Sequence, residues 1–360
     1  MKAPATAAVR AALVRWYDSA KRDLPWRHTR DPYAIWVAEV MLQQTRVETV
    51  LPYYARFLGR FPTVADLAAA PIDDVLASWS GLGYYRRARL LHAGAMHVRD
   101  HHAGAVPRDV AAIAEIPGVG RYTTGAIASC AFELEAPLVD GNVARLLSRL
   151  FAIELDVTRG EGLARVWSLA ESLVVGPRPD ALNNALMELG AMICVPREPR
   201  CGACPLSDAC VARARGIEKT LPIVREKAAR PIVREQAIVL RRRDASSEEI
   251  LVARCVESGL FGGLWEPPRL DREGKRALDA RLTHALGVDA RVSSKPVRKV
   301  RHVLTHRELR IDVHEGDLAA TPRPRPRAVE RYDAFAWTTI DGLAALGVST
   351  LARKVLGLRR

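Results

Sequence analysis

The chain has 360 residues, which is long enough for two domains with separate hydrophobic cores. Hydrophobic residues make up 49% of it, so the composition excludes an intrinsically disordered protein. The formal net charge of +13 favours a polyanionic partner, nucleic acid ahead of an anionic membrane, although an arginine-rich genomic composition would produce the same charge. No apolar run approaches the roughly 20 residues that span a bilayer, and the N-terminus lacks a signal-peptide pattern, so we expect a cytoplasmic protein without a membrane partner.

Residues 1–212 predict an all-helical domain. Apolar residues recur there at helical spacing between Pro and Gly breaks, in Ile35–Thr49, Val75–Trp79, Arg86–Val98, Val110–Ile116, Thr123–Phe132 and Val143–Leu150. Residues 213–235 carry seven Lys and Arg residues and two prolines, which predicts a basic linker.

Residues 236–360 predict an α+β domain, so the whole chain is expected to be a multi-domain protein of α and α+β parts. The strand-like runs are Ala237–Leu240, Ile250–Ala253, Val297–Leu304, Leu309–Val313 and Ala334–Thr338. Helical patterns cover Ala277–Leu286 and Thr350–Leu356, and the proline-rich stretch Pro322–Arg327 predicts a solvated loop.

The segment Ile116–Tyr122 (IPGVGRY) joins two predicted helices. Gly118 and Gly120 permit a tight turn and the close approach of a partner. The amides that follow open a helix, where N–H groups and the helix dipole bind phosphate. This pattern is typical of the helix-hairpin-helix that binds DNA independently of sequence, and a plain helix–helix turn is the alternative.

Four cysteines, Cys194, Cys201, Cys204 and Cys210, follow the pattern C-x6-C-x2-C-x5-C. Four thiolates in one short segment suit zinc or a 4Fe–4S cluster. The unequal spacings differ from the paired knuckles of zinc ribbons, so they favour the 4Fe–4S cluster and leave zinc as the alternative. Cys130 and Cys255 lie elsewhere and are predicted to be small core residues.

Two carboxyl groups lie in contrasting local sequences. Glu39 is within Ile35–Leu42, a helix that is apolar on nearly all sides, where burial raises the pKa of a carboxyl and allows it to act as a general acid. Asp140 precedes a helix start, where N–H groups stabilise a charged carboxylate. The alternatives are an exposed helix-face glutamate and a plain N-cap. Together, a neutral acid and a charged carboxylate suit cleavage of an N-glycosidic bond.

Together with further motifs, these residues give the chain a resemblance to the MutY adenine DNA glycosylases, which belong to the endonuclease III superfamily. The resemblance covers almost the whole chain and rests on segments in the same order: Leu24–Arg27 (LPWR), Glu39–Thr45 (EVMLQQT), Gly81–Tyr85 (GLGYY), Ile116–Tyr122, Val139–Val143 (VDGNV) and the cysteine segment. It implies a monomeric, monofunctional base-excision-repair enzyme, associated with the nucleoid through DNA. Such an enzyme hydrolyses adenine from double-stranded DNA opposite 8-oxoguanine or guanine, which prevents G·C to T·A mutations.

The resemblance also implies residue roles. Glu39 would protonate N7 of adenine and Asp140 would face the oxocarbenium-like sugar, with Asn142 and Tyr122 in the same pocket. The positions that would contact the extruded adenine are Trp26, Arg27 and Asn184, the last of which is more often Gln or Glu in the family. Gln44 and Tyr84 would wedge into the duplex beside the orphaned 8-oxoguanine, which helps offset the cost of flipping the base.

The C-terminal domain resembles the Nudix-like module with which MutY proteins recognise 8-oxoguanine. Its segment His302–His306 aligns with a loop that usually ends in Phe-Ser-His, so Thr305 and His306 would contact the damaged base. Nudix hydrolases bind magnesium through several glutamates, whereas Arg281, His284 and Ala285 occupy those positions here, so we expect no nucleotide hydrolysis.

Two other interpretations remain. An endonuclease III-like glycosylase/lyase would carry a nucleophilic lysine directly after Pro-Gly-Val-Gly-Arg, where this chain has Tyr122. A helix-hairpin-helix protein that only binds DNA or senses oxidants would not need both Glu39 and Asp140.

Overall fold

The computed structural model describes residues 5–225, 229–243, 247–271, 277–318 and 330–358. The loop predicted at Pro322–Arg327, residues 226–228 of the predicted linker, and the side chain of Ala285 lie outside the described part. The chain forms two compact units. The first, the helical unit, comprises residues 1–68 and 93–227, and the second, the sheet unit, comprises residues 69–92 and 228–360.

The helices in chain order are α1 (Thr6–Ala20), α2 (Pro32–Leu42), α3 (Val47–Arg60), α4 (Val64–Ala69), α5 (Ile72–Ser78), α6 (Arg86–His101), α7 (Val110–Glu115), α8 (Arg121–Phe132), α9 (Gly141–Leu150), α10 (Gly160–Val174), α11 (Pro179–Met192) and α12 (Val211–Ala214). Short 3-10 turns lie at Pro25–Arg27, Cys201–Ala203 and Ser207–Ala209. The helical prediction for this half is therefore confirmed.

One predicted helix is wrong in its extent. The apolar pattern of Ile35–Thr49 predicts a single helix, but α2 ends at Leu42 and α3 starts at Val47. Between them Gln44 adopts a left-handed conformation with φ 57°. Neither Gly nor Pro marks this break, so it depends on the surrounding structure rather than on local propensity.

One core cluster of the helical unit lies between α1, α8, α9, α10 and α11. Leu13, Leu147 and Leu186 are fully buried there. Helix α2 begins at Pro32, directly after Asp31. The carboxylate of Asp31 accepts a 3.0 Å hydrogen bond from the Tyr33 amide. Every residue of α2 from Tyr33 to Met41 is buried, so this helix crosses the interior of its unit.

The sheet unit contains β1 (Ile232–Arg243), β2 (Glu248–Cys255), β3 (Trp265–Glu266), β4 (Arg269–Asp271), β5 (Ala290–Val292), β6 (Arg298–Val303), β7 (Glu308–Leu318) and β8 (Tyr332–Thr338), with helices α13 (Leu278–Leu286) and α14 (Thr350–Leu356). The strand order is β3-β2-β1-β7-β5, while β4 pairs with β1, β6 with β7 and β8 with β2. Only β1 and β7 are parallel among the described pairs.

The predicted strands and both predicted helices of this α+β part are present, which confirms its fold class. The short strands β3, β4 and β5 have too few residues to show an alternating pattern in the sequence. Regular structure overlaps both ends of the predicted linker, because Arg213 lies in α12 and β1 already begins at Ile232, just after Pro231. Ile232 and Val233 favour a strand, and β7 provides the pairing partner.

Residues 69–92 belong to the sheet unit although they lie far from its strands in sequence. The hydroxyl groups of Ser80 and Tyr85 each donate a 2.9 Å hydrogen bond to the carbonyl oxygen of Val348. In the described residues, we find no helix with both the length and the apolar character needed to cross a membrane.

Candidate active site

One cleft in the helical unit brings together most of the side chains that the sequence singled out. Its volume is about 790 Å³, and its lining includes the 3-10 turn at 25–27, the α2–α3 break and the first residues of α8 and α9. The predicted residues that line it are Trp26, Arg27, Glu39, Gln44, Tyr122, Asp140, Asn142 and Asn184. Tertiary structure thus gathers residues that are up to 158 positions apart (Trp26 to Asn184) into one site.

Glu39 lies on α2 and is only 6% exposed, so the alternative of an exposed helix-face glutamate is wrong. Burial raises the pKa of its carboxyl to about 7, against a smaller opposing effect from Tyr122. The Tyr122 hydroxyl donates a 2.6 Å hydrogen bond to Oε2 of Glu39, and burial raises the pKa of this phenol well above its usual value. A carboxyl with a pKa near 7 can hold or release a proton at neutral pH.

Asp140 is the N-cap of α9 and also lines the cleft. Its Oδ1 accepts a 2.7 Å hydrogen bond from the amide of Val143, and its Oδ2 accepts one of 2.8 Å from Nδ2 of Asn142. Both N–H donors and the N-terminus of α9 direct positive electrostatic potential toward this carboxyl group. The capping interpretation is therefore correct, and it does not compete with a role in the cleft.

Arg145 connects this end of α9 to the cysteine segment. Its Nη2 donates 2.9 Å to Oδ1 of Asn142 and 2.7 Å to the carbonyl of Gly190, and its Nε donates 2.7 Å to the carbonyl of Cys194. A Cβ atom at Gly190 would lie 2.8 Å from the Asn142 backbone oxygen, so α11 can approach α9 this closely only with glycine there. The amide orientation of Asn142 is thus fixed by a buried arginine.

The sequence analysis missed Glu188 on α11, which lines the cleft and is 1% exposed. Burial alone would raise the pKa of this carboxyl, but hydrogen bonds from Arg22 and Arg27 outweigh burial and bring it to about 2. Arg27 donates through Nη1 at 3.2 Å and through Nη2 at 2.7 Å. A glutamate among the apolar residues of α11 is the same signal that identified Glu39.

The remaining predicted contacts occupy distinct parts of the cleft. Trp26 packs edge-on against Tyr54, with ring centroids 5.4 Å apart. Asn184 donates 2.9 Å to the carbonyl of Asp180 and 3.4 Å to the sulfur of Cys130. Cys130 is thus half-buried beside the cleft, whereas Cys255 is a buried core residue as predicted.

The predicted hairpin connects α7 to α8. Gly118 has φ 81°, a conformation that favours glycine, and Gly120 is the N-cap of α8. A Cβ atom at Gly120 would meet no other atom of the described chain within 4 Å, so packing within the protein does not require glycine there. The open approach to the α8 amides suits a phosphate group from outside the chain.

The four cysteines Cys194, Cys201, Cys204 and Cys210 line one cavity with apolar neighbours. Arg149, which is 1% exposed, donates hydrogen bonds to the carbonyl oxygens of Cys194 (3.4 Å), Val195 (2.8 Å) and Pro196 (2.7 Å). Among the described residues, no group of three or more Cys, His, Asp or Glu side chains is already arranged to hold a metal ion.

Comparisons with known proteins agree with this geometry. Residues 37–171 match the HhH-GPD superfamily of base excision DNA repair proteins, and residues 236–358 match the NUDIX domain. The chain is 36% identical over 407 residues to an adenine DNA glycosylase of Homo sapiens, covering 97% of this chain and 73% of that protein. The adenine DNA glycosylase of Rattus norvegicus is 36% identical, with 97% and 77% covered.

This chain belongs to the adenine DNA glycosylase family. It is therefore an enzyme, a DNA glycosylase of base excision repair, and its partner is DNA. A solved thermostable thymine-DNA glycosylase is 32% identical with a TM-score of 0.54, over 58% of this chain and 97% of that one. Endonuclease III, trapped covalently with DNA, shares the fold with 24% identity and a TM-score of 0.50, over 59% of this chain and 99% of that one.

Three further predicted residues of this glycosylase, Tyr84, Thr305 and His306, lie in the sheet unit. The hydroxyl oxygens of Tyr84 and Thr305 are hydrogen-bonded at 3.0 Å. Tyr84 is 47% exposed and has φ 50°, and the guanidinium of Arg87 lies 5.4 Å from its ring centroid. The sequence assigned Tyr84 to the helical domain, and the structure instead places it beside the β6–β7 loop that carries Thr305 and His306.

Proposed function

We propose that this enzyme hydrolyses the N-glycosidic bond of adenine opposite 8-oxoguanine or guanine, leaving an abasic site without cutting the strand. The observation that carries the proposal is a pair of unlike carboxyl groups in one cleft. Glu39 has a pKa of about 7, and Asp140 accepts hydrogen bonds from two N–H donors. Loss of a base from deoxyribose needs a proton for the base and a negative charge for the sugar.

In the proposed reaction, Glu39 gives its proton to N7 of adenine while the C1′–N9 bond breaks. The bonding electrons leave with the base, and the deoxyribose becomes cationic at C1′. Asp140 stabilises this cation until a water molecule adds to C1′ and gives up a proton to the Glu39 carboxylate, which restores the acid. Because the Tyr122 hydroxyl donates to Oε2 of Glu39, Oε1 remains for the transferable proton.

The extruded adenine would lie against Trp26, Arg27 and Asn184, which line the cleft. Glu188 holds both terminal nitrogens of Arg27, so we infer that it keeps this guanidinium in place for the base. Gln44, at the left-handed break between α2 and α3, would enter the duplex at the cleft rim. Gly118 and Gly120 would receive a backbone phosphate.

We also infer that the enzyme lacks a strong lyase activity. A glycosylase/lyase attacks C1′ with a lysine amine, and no lysine is among the described residues that line the cleft. Tyr122 occupies the corresponding position, and its phenol is a poor nucleophile because burial raises its pKa well above the usual value.

Recognition of 8-oxoguanine is assigned to Tyr84, Thr305 and His306. The hydrogen bond between Tyr84 and Thr305 places a ring that can enter the base stack beside a hydroxyl that can bond to a base edge. Because residues 69–92 group with the sheet unit, a fragment ending near Ile223 would remove partners of this segment such as Val348. A point substitution at Thr305 is therefore a cleaner test than truncation.

We expect the parent enzyme to release adenine opposite 8-oxoguanine and guanine but not opposite thymine, with strand breaks only after alkali. Thr305→Ala should lower the preference for 8-oxoguanine over guanine by roughly 3- to 10-fold, the value of one hydrogen bond. Thr305→Ser retains the hydroxyl and should retain the preference. Single-turnover rates on the three duplexes measure both points. An unchanged preference in Thr305→Ala would contradict the assignment of this residue, and strand breaks before alkali would contradict the absence of lyase activity.

We propose that Cys194, Cys201, Cys204 and Cys210 hold a 4Fe–4S cluster. The residues fit this group, because four thiols surround one cavity and a cubane takes one thiolate for each iron. Arg149 holds three successive carbonyl oxygens beside the first cysteine, which fixes the backbone of the segment. When bound, the cluster would supply structural order to this segment rather than a step of hydrolysis.

Purified protein is expected to contain about four irons per chain and to absorb broadly near ~400 nm. Cys194→Ser should lose most of the iron and this absorbance, because one ligand is removed. Cys130→Ser, which alters a cysteine outside the segment, is the matched control and should keep both. Stoichiometric zinc in fully active, colourless protein would instead support the zinc alternative.

A further inference from the structure

Three arginines lie side by side on one face of the sheet unit. The register of β1, β7 and β6 pairs Arg234 with Arg310, and Arg310 with Arg301. All three side chains are exposed. We call this set the arginine row. Like charges placed directly opposite on neighbouring strands destabilise a sheet, so folding alone does not favour this arrangement.

The row occupies the part of this face that α13 leaves uncovered. Leu282 and Leu286 of α13 pack on Ile238 and Leu240 of β1. The part of this face that α13 covers begins at Gln236, whose side-chain oxygen accepts a 2.7 Å hydrogen bond from Arg281. Because alternate residues of a strand share a face, Arg234 is the next position beyond this edge, and it is exposed.

Internal ion pairs neutralise the row only in part. Glu308 accepts 2.7 Å hydrogen bonds from Nη2 of Arg301 and from Nε of Arg310. Arg234 has no ion pair or side-chain hydrogen bond within the described chain. Three guanidinium groups and one carboxylate leave a local charge of +2, with the Glu308 contacts holding two of the guanidiniums in place.

The row also adjoins the proposed base-recognition loop. Arg301 and Arg310 flank the β6–β7 loop that carries Thr305, and Arg230 donates a 3.1 Å hydrogen bond to the Thr305 carbonyl. The three strands of the row span ~10 Å. Each DNA strand presents a phosphate every ~3.4 Å along the helix axis, so about three phosphates lie within that span. Guanidinium groups are well suited to phosphate oxygens.

We propose that Arg234, Arg310 and Arg301 form a phosphate-binding surface of the sheet unit. This surface binds the backbone of the DNA strand whose base Thr305 contacts. The arginine row binds the phosphate backbone and does not distinguish one base from another. The choice of strand rests on the proposed role of Thr305, whereas phosphate binding by the row does not.

The test measures DNA affinity against salt concentration for the full-length holoenzyme. Each lost phosphate contact lowers the slope of log affinity against log salt by about 0.9. For the triple variant Arg234→Gln/Arg301→Gln/Arg310→Gln, the slope should fall by about 2.7. The parent should then lose about 40-fold more affinity than the variant between 50 and 200 mM salt. The loss should be equal on duplexes with adenine opposite 8-oxoguanine, guanine or thymine.

Arg291→Gln is the matched control, because Arg291 is also an exposed strand arginine of this unit but lies on β5, outside the row. Its salt slope should equal that of the parent. If the triple variant does not fold, Arg234→Gln alone should lower the slope by about 0.9, since Arg234 has no described ion pair to lose. An unchanged slope, or a loss confined to 8-oxoguanine duplexes, would overturn the proposal. A failure of the Thr305 assignment would appear as an unchanged lesion preference in Thr305→Ala and would leave this slope as expected.

Discussion

Replacement of Glu39 by glutamine is expected to lower adenine release by ~10²–10⁴-fold, which is the usual contribution of a general acid. Glutamine keeps the shape of the side chain and can still accept a hydrogen bond from Tyr122, but it has no proton to transfer at neutral pH. Binding to a mispaired duplex should therefore survive. Single-turnover release and equilibrium binding, measured on the same duplex, separate the two effects.

The pH dependence tests the same assignment. The pKa of Glu39 is about 7, so release by the parent should fall as the pH rises above this value and the carboxyl loses its proton. The variant should lack this alkaline decline in its residual activity. Glu161→Gln, an exposed glutamate of α10, is the control and should keep the parent profile. Substantial release by Glu39→Gln would remove Glu39 from the mechanism.

The raised pKa of Glu39 also makes stability depend on pH. Below its unfolded value near 4.5 the carboxyl is protonated in both states, and between 4.5 and about 7 the folded protein binds more protons than the unfolded chain. The free energy of unfolding therefore falls as the pH rises through this window and stays lower above it. Glutamine never ionises, so at pH 8 the variant should exceed the parent in stability by on the order of 3 kcal/mol. Equal pH dependence of both proteins in denaturant titrations would show that burial does not disfavour the charged form.

Replacement of Asp140 by asparagine is expected to lower release by ~10²–10³-fold, the size of a lost electrostatic contact to a developing charge. Asparagine is as good an N-cap as aspartate, so α9 should keep its start and stability should change by less than about 1 kcal/mol. The loss should also appear in binding. A duplex with a cationic pyrrolidine in place of the sugar mimics the charged intermediate, and the variant should bind it at least about 10-fold more weakly.

The control for Asp140 is another aspartate N-cap in the helical unit. Asp109 caps α7 by accepting a 2.9 Å hydrogen bond from the amide of Ala112, and it does not line the cleft. Asp109→Asn should keep both release and binding to the cationic duplex. Equal losses in the two variants would mean that Asp140 acts only as a cap.

Much of the site was predictable because its signals are local. An apolar helix around Glu39 predicts burial from a few neighbouring residues, and α2 is buried from Tyr33 to Met41. The position of Asp140 before a helix predicts its capping contacts, which are present. The glycines at 118 and 120 predicted the turn between α7 and α8 in the same way.

Other features depend on contacts between distant parts of the chain. The break at Gln44 has no local signal, and the low pKa of Glu188 follows only from Arg22 and Arg27, which lie against it in the folded chain. The sequence likewise placed Tyr84 among the helices, whereas its partner Thr305 lies 221 residues away. Local propensity cannot specify such pairs, because their stability comes from packing and hydrogen bonds that exist only in the folded chain.

The sequence by itself determined the fold class of both parts of the chain. It also singled out the two carboxyl groups and the four-cysteine segment, because each of these signals lies within a short run of residues. Only the tertiary structure decided which residues share a surface. The arginine row depends on the parallel register of β1 and β7, in which Arg234 meets Arg310 across 76 residues of sequence. A slip of one residue would turn every side chain of the strand to the opposite face, so this surface exists only once the core side chains have fixed the register.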